Sequence, residues 1–167
     1  NVIIQKDATF NVNLLGNMTV NNNLDFNSVG SSKIITNNFD VKLGSAATVT
    51  GPDADEYVAT TGTGMMQKEV TADATFLFPV GDAVEYSPIS SNYSGSGYAA
   101  ANIRVKANDL THPNKPADAT EYISRYWDVN ATGITGYSNT LTGTYVPADL
   151  TLGAGGTAAQ VKGAVYD

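Results

Sequence analysis

Apolar residues along this chain come in short alternating runs, separated by Asn, Asp, Gly and Thr. In the first fifty residues one arrangement recurs. Val20-Asn21-Asn22-Asn23-Leu24-Asp25-Phe26 matches Ile35-Thr36-Asn37-Asn38-Phe39-Asp40-Val41 at an offset of fifteen residues, with the apolar and Asx positions coinciding. Repetition at a short period, with Asn at the corners, predicts a β-solenoid, in which each coil buries its apolar face by stacking on its neighbour. A coil of that period stacks Asn22 over Asn37 and Asn23 over Asn38, their side-chain amides bonding along the stack. A pair of β-hairpins with similar turns is the alternative for the same residues.

Gly51-Pro52-Asp53 breaks this pattern and divides the chain into an Asn/Thr-rich solenoid-like or hairpin-rich portion, 1–50, and a second portion, 51–167. Beyond the break, 56–61 and 65–71 flank Gly62-Thr63-Gly64 and read as a hairpin. Residues 75–81 read as one apolar strand ended by Pro79 and Gly81. Residues 97–107 alternate, with Ala99, Ala101, Ile103, Val105 and Ala107 on one face and Asn102, Arg104 and Lys106 on the other, as in a strand wetted on one side. Tyr137, Leu141 and Tyr145 alternate with Thr140, Thr142 and Thr144 in another. Residues 109–120 read as a loop. Around Glu121 to Trp127 helical spacing competes with alternation, and β-rich neighbours favour a strand with Ile123, Arg125, Trp127 and Val129 on one face. The expected architecture is all-β: a short β-solenoid-like or hairpin-rich portion, then an antiparallel β-sandwich of about seven strands. Residues 2–5 and 160–166 also read as strands, so the chain reads as a piece of a longer one, with the sandwich truncated at its C-terminal end.

Composition supports this reading. Charged residues make up 15%, against roughly 25% in ordinary soluble domains, and 19 Thr, 16 Asn, 11 Ser and 16 Gly take their place. Scarce Lys and Glu argue against a helical bundle or an α/β enzyme. A formal charge of −7, with nine scattered basic residues, argues against nucleic acid as a partner. No apolar run of about 18 residues is available to insert into a membrane. The absence of Cys excludes disulfides, thiolate metal sites and Cys nucleophiles.

Several segments keep a characteristic order: Tyr57-Val58 to Gly62-Thr63-Gly64, Phe76-Leu77-Phe78-Pro79-Val80-Gly81, Tyr86-Ser87-Pro88-Ile89, Ser124-Arg125-Tyr126-Trp127, and the run from Leu141 to Tyr145. In this order the chain, over roughly residues 1–150, resembles modules of large repetitive surface and secreted proteins of the Bacteroidetes. These are commonly adhesin-like substrates of type IX secretion. The resemblance implies export, a secreted or cell-surface location and an adhesive or scaffolding role, with no catalytic motif to carry over.

Candidate chemistry is sparse. His112, the only imidazole, lies between Thr111 and Pro113 in a polar loop and reads as a solvent-exposed turn residue. One His gives no zinc-hydrolase ligand set. Sixteen acids would suffice for a glycosidase, but their spacing selects no pair. The Gly pairs lack a P-loop lysine and read as turns. Trp127 reads as a core anchor clustered with Phe76, Phe78, Ile103 and Val105, with Arg104 and Lys106 exposed. Arg125, beside it, then needs a carboxylate, a carbonyl or an aromatic ring. Exposed Tyr57, Tyr86, Tyr93 and Tyr98 would instead suit a sugar-stacking platform. Asn17, Asn92 and Asn130 begin Asn-x-Ser/Thr triplets at chance frequency. Asp53, Asp55 and Glu56 form the candidate metal site, for calcium, with Asp82 or Glu85 as a further ligand. No other cofactor is expected.

Together these readings predict a non-catalytic structural or adhesive module. Its expected partners are other surface-protein modules or extracellular glycans. The alternatives are a carbohydrate-binding module of a secreted enzyme, or a filament subunit that self-associates through open terminal strands.

Overall fold

Parallel strands stacked coil upon coil build the first eighty residues of the computed structural model, which describes residues 1–4, 10–27, 30–158, 163 and 165. One face carries β1 (Val2–Ile4), β4 (Asn23–Phe26) and β7 (Thr48–Thr50). A second carries β2 (Val12–Asn13), β5 (Ile34–Ile35), β8 (Val58–Ala59) and β11 (Val80–Gly81). The third begins with β3 (Met18–Val20), β6 (Val41–Leu43) and β9 (Met66–Glu69). All pairs within these stacks are parallel, and partners such as Val12↔Ile34, Ile34↔Val58, Met18↔Val41 and Leu24↔Val49 lie 22 to 25 residues apart. The molecule is thus all-β with a β-solenoid-like arrangement.

Antiparallel strands follow. β10 (Ala74–Phe78), β12 (Ile89–Ser94) and β16 (Ser138–Gly143) form a three-stranded sheet. β13 (Gly97–Asn108) pairs antiparallel with β9 on one side and with β15 (Tyr126–Thr135) on the other. A five-stranded mixed sheet, β15-β13-β9-β6-β3, therefore runs from the coils into the hairpin without a break. A small ladder joins β14 (Tyr122–Ile123) to β17 (Leu150–Thr151), just after a 3₁₀ turn at Pro147–Asp149.

The core is continuous in the same way. Leu24, Ile34, Val41, Leu43, Val58 and Met66 from the coils join Phe78, Val80, Ile103 and Val105 in one buried cluster. Each such side chain contributes on the order of 1.5–3 kcal/mol when removed from water, which a single coil cannot achieve alone.

Asn, Asp and Thr hold the corners by bonding from coil to coil. The Asn17 side-chain carbonyl accepts the Asp40 N–H at 2.8 Å, and the Asp40 carboxylate accepts the Met65 N–H at 3.1 Å. The Thr36 hydroxyl accepts the Thr61 N–H at 2.8 Å and donates to the Ala59 carbonyl at 3.2 Å. These bonds satisfy backbone groups left unpaired where the chain turns. They also explain a composition rich in short polar side chains.

The structure departs from the sequence pattern at several points. The fifteen-residue offset is not the coil period. It aligns β3–β4 with the segment from β5 to β6, which lie on different faces, so the similarity belongs to two different corners. Asn23 stands over Thr48, exchanging side-chain hydrogen bonds with Thr48 and Thr50, while the Asn37 amide donates to the Leu14 carbonyl. Residues 56–71 are not a hairpin: β8 pairs with β5 and β11, β9 with β6 and β13, and Gly62-Thr63-Gly64 is a coil corner. Gly62 is needed there, since at φ 56° an added Cβ would lie 2.4 Å from the Asn37 carbonyl oxygen. Residues 75–81 are two strands on different faces, divided at Pro79.

Parallel pairing also crosses the break at residues 51–53 and continues to Val80–Gly81. The part expected as a separate antiparallel sandwich shares a mixed sheet with the coils, because β13 docks on the free edge of β9. Around Trp127 the residues are extended rather than helical, but the expected single strand is broken at Ser124-Arg125 into β14 and β15, which belong to different sheets. Phe78, Ile103 and Val105 are fully buried, whereas Phe76 and Trp127 pack half-buried against the cluster, and Arg104 and Lys106 are half-buried rather than exposed. Ala99 is exposed where a register shift between Tyr98 and Asn102 interrupts the alternation. The loop over 109–120 is present as expected. Gln5 and most of the strand expected over 160–166 lie outside the described residues.

Candidate functional site: a buried arginine among four carboxylates

Asp82 follows the last coil strand, β11, and closes a tight turn. Its Oδ1 accepts the N–H groups of Val84 at 2.6 Å and Glu85 at 3.0 Å, and Gly81 bridges to Tyr86 across the turn. A side chain that caps two backbone donors is held rigidly. Asp82 Oδ2 and Glu85 Oε2 therefore face inward together.

Arg125 meets them from the segment between β14 and β15. Its Nη1 donates to Asp82 at 2.7 Å, its Nη2 to Glu85 at 2.6 Å, and its Nε to Asp149 at 2.6 Å. Asp109 lies 3.5 Å from Nη2. Asp149 is itself fixed by the 3₁₀ turn, where its Oδ2 accepts the Val146 N–H at 3.1 Å, while its backbone carbonyl accepts the Ser124 N–H. The Arg125 side chain is 0% exposed, and exposure then rises outward from Asp149 (3%) through Asp82 (16%) and Glu85 (30%) to Asp109 (50%). One guanidinium thus faces four carboxylates, and the cluster grades from dry to wet on the Asp109 side.

The electrostatics follow from this packing. Burial disfavours the charged guanidinium, but hydrogen bonds to Asp149 and Asp82 outweigh it, and Arg125 holds its proton more tightly than usual. Burial also pushes Asp82 up; the N–H groups of Val84 and Glu85 and the guanidinium more than compensate, leaving it below the usual carboxylate range. The geometry serves to tie together the 82–85 turn, the start of β15 and the 146–151 segment, which are remote in sequence.

Of the expected calcium ligands, Asp82 and Glu85 belong to this cluster, whereas Asp53, Asp55 and Glu56 are not among the acids gathered with them. Asp53 and Asp55 are exposed, and Glu56 is buried. Asp53 Oδ1 accepts the N–H groups of Asp55 at 2.8 Å and Glu56 at 3.0 Å. Among the described residues, the carboxylates whose oxygens gather within 4.8 Å of one another are Asp82, Glu85 and Asp109. A repeated word in the sequence marks this turn: Asp82-Ala83-Val84-Glu85-Tyr86 repeats Asp53-Ala54-Asp55-Glu56-Tyr57. The two tyrosine rings sit 5.3 Å apart. The sequence left Arg125 a carboxylate, a carbonyl or a ring as partner; the structure supplies carboxylates, and nothing local pointed to Asp109 or Asp149.

The proposed aromatic platform is largely covered. Tyr57 and Tyr93 are buried, and Tyr86 and Tyr98 are half-buried. Trp127 donates its indole N–H to the Ser87 carbonyl at 2.9 Å, and its ring lies so close to Gly143 that a Cβ there would come within 2.7 Å of it. His112 is half-buried and packs edge-on against Tyr126, with ring centroids 4.7 Å apart.

No protein family, curated protein or solved structure matches the chain in comparisons by family, sequence and fold.

Proposed function

We propose that the chain is a non-catalytic structural or adhesive module of a secreted or cell-surface protein, presenting a rigid β-scaffold whose coils join other β-modules end to end. One observation carries this reading. β1, β2 and β3 each lie at the outer edge of their sheet, and all three belong to the same end of the stack. Among the described residues, the outward edges of these strands have no partner, and such edges are the usual template for adding a further strand. Apolar side chains stand exposed nearby, with Ile3 and Phe10 at 56% and Leu15 at 90%. At the far end only the third stack continues, from β9 into antiparallel β13, while β7 and β11 are the outer strands of the other two.

The two ends therefore differ in that β3 is an outer strand of the mixed sheet whereas β9 is covered by β13. A filament needs the head of one copy to fit the tail of the next, whereas two like ends can meet only as a closed pair. A neighbouring module with its own coil edge would fit the same end. The covered tyrosines leave the carbohydrate-binding alternative with little to stack a sugar on.

Sedimentation velocity from about 1 to 500 µM, paired with a glycan array, tests the reading. Association that stops at a dimer and is lost in Ile3→Lys/Thr19→Lys supports it. A monomer at every concentration that binds a glycan on the array would replace it with the carbohydrate-binding module. Open-ended polymers would replace it with the filament subunit.

A further inference from the structure

We propose that Asp82, Glu85 and Asp109 form a calcium site on the solvent side of Arg125, with the Tyr57 hydroxyl as an additional oxygen beneath it. The carboxylate geometry comes first. One oxygen from each acid lies within 4.8 Å of the other two, about the distance between ligands on opposite sides of a Ca²⁺ ion that keeps its oxygens near 2.4 Å. The donors are all oxygen, the chain has no Cys, and its single His packs against Tyr126. Such a set suits a hard cation rather than zinc or copper.

Charge balance points the same way. The guanidinium hydrogen-bonds Asp149, Asp82 and Glu85 on its own side, leaving three negative charges in excess across the cluster. Asp109, 3.5 Å from Nη2 and half exposed, is the acid that Arg125 serves least. A cation entering from the Asp109 side meets excess negative charge and open solvent together.

Tyr57 supplies the independent observation. Its side chain is fully buried, and its hydroxyl has no hydrogen-bond partner among the described residues. Buried hydroxyls are rarely left so, and a specific orphan calls for an explanation. The ring lies directly under the turn. Its Cε2, next to the carbon that bears the hydroxyl, would be 2.7 Å from a Cβ on Gly81, the residue before Asp82. Lys33 lies 4.9 Å over the same ring and donates to the carbonyls of Ala83 and Val84, pinning the turn onto it. Burial chiefly, and then the charges of Asp82, Arg125, Glu85 and Asp55, act on the hydroxyl. A cation in the cluster, or a water bound to it, gives this oxygen its missing partner.

The Asp53 turn is the built-in control. It has the same Asp-Ala-x-Glu-Tyr sequence, but its Asp53 and Asp55 are exposed while its Glu56 is buried. Repulsion from Arg125 keeps the affinity modest, in the roughly 10⁻⁴–10⁻³ M range of extracellular calcium modules.

The test uses the whole chain, with thermal melting in EDTA, in about 5 mM CaCl₂ and in equal MgCl₂, beside a Tb³⁺ titration read by tyrosine-sensitised luminescence. The expected result is a calcium-specific rise in Tm of about 2–5 °C. Tb³⁺ emission should appear and be displaced by Ca²⁺. Asp109→Asn, an exposed change that leaves the Arg125 hydrogen bonds in place, should abolish both signals. Asp53→Asn/Asp55→Asn should keep both, and Tyr57→Phe should weaken Tb³⁺ binding at least about threefold. Loss of either signal in the parent chain, an equal rise with magnesium, or signals that persist in Asp109→Asn each overturn the proposal.

Discussion

Replacing Arg125 with Met keeps most of the side chain's volume and removes its charge. The four bonds lost, three at 2.6–2.7 Å to Asp149, Asp82 and Glu85 and a second to Asp149 at 3.3 Å, are all charge-assisted. What remains is worse than their absence: four carboxylates, two of them no more than 16% exposed, with no cation between them. Breaking a buried ion pair from one side costs about 3–5 kcal/mol, a large share of the roughly 5–15 kcal/mol that holds a domain folded. With a urea slope near 2 kcal/mol/M, the unfolding midpoint should fall by about 2 M. The pH response separates charge from packing. In the parent, Asp82 sits below its unfolded pKa, so its contribution is present above about pH 4 and is lost as pH falls through the folded value. In Arg125→Met the crowded carboxylates are raised above their unfolded values, so stability should recover as pH drops from about 7 to 5. Asp149→Asn in the same background should restore part of the loss at neutral pH. A midpoint that moves by less than about 0.5 M, or a variant that recovers nothing on mild acidification, would refute the reasoning.

Three further outcomes can be checked separately. Gly62→Ala forces a Cβ at positive φ against the Asn37 carbonyl and should cost about 1–3 kcal/mol by urea titration. Trp127→Ala removes a half-buried ring and its bond to Ser87 and should cost about 2–4 kcal/mol, since the site is less than fully enclosed. Burial pushes the Tyr57 hydroxyl well above its ordinary pKa, with the Asp82 charge adding to it, so the unfolded chain ionises first. Stability should fall as pH rises past about 10, and Tyr57→Phe should move alkaline unfolding to higher pH by circular dichroism.

The sequence conveyed the material of this fold better than its geometry. Short polar residues and broken alternation announce an all-β, solenoid-like chain, and the alternation from Ala101 to Ala107 survives as the buried face of β13. The period was misread because two corners use the same Asn-Asn chemistry on different faces, while true neighbours such as Leu24 and Val49 share only an apolar character. Gly62-Thr63-Gly64 looks like a hairpin loop because a corner and a hairpin both need positive φ. Which strand comes next to which is decided by partners 22 to 25 residues away, and no local pattern encodes that. The site divides in the same way. Arg125 showed that it needs a partner (a carboxylate, a carbonyl or a ring), but Asp82 and Asp149 lie 43 and 24 residues from it.

The sheet shared by coils and hairpin also sets an order of assembly. Each parallel ladder secures only two or three residue pairs for a loop of more than twenty residues, whereas one closure aligns nine pairs between β13 and β15. Loop closure costs almost the same in both cases, because it grows only with the logarithm of length. The hairpin is therefore the stretch that repays its entropy first, and β9, β6 and β3 can then be templated in turn on its edge. Folding would proceed from the later part of the chain back towards its beginning. Pulse-labelled hydrogen exchange during refolding should accordingly protect β13 and β15 before β3 and β6, and the opposite order would remove this account.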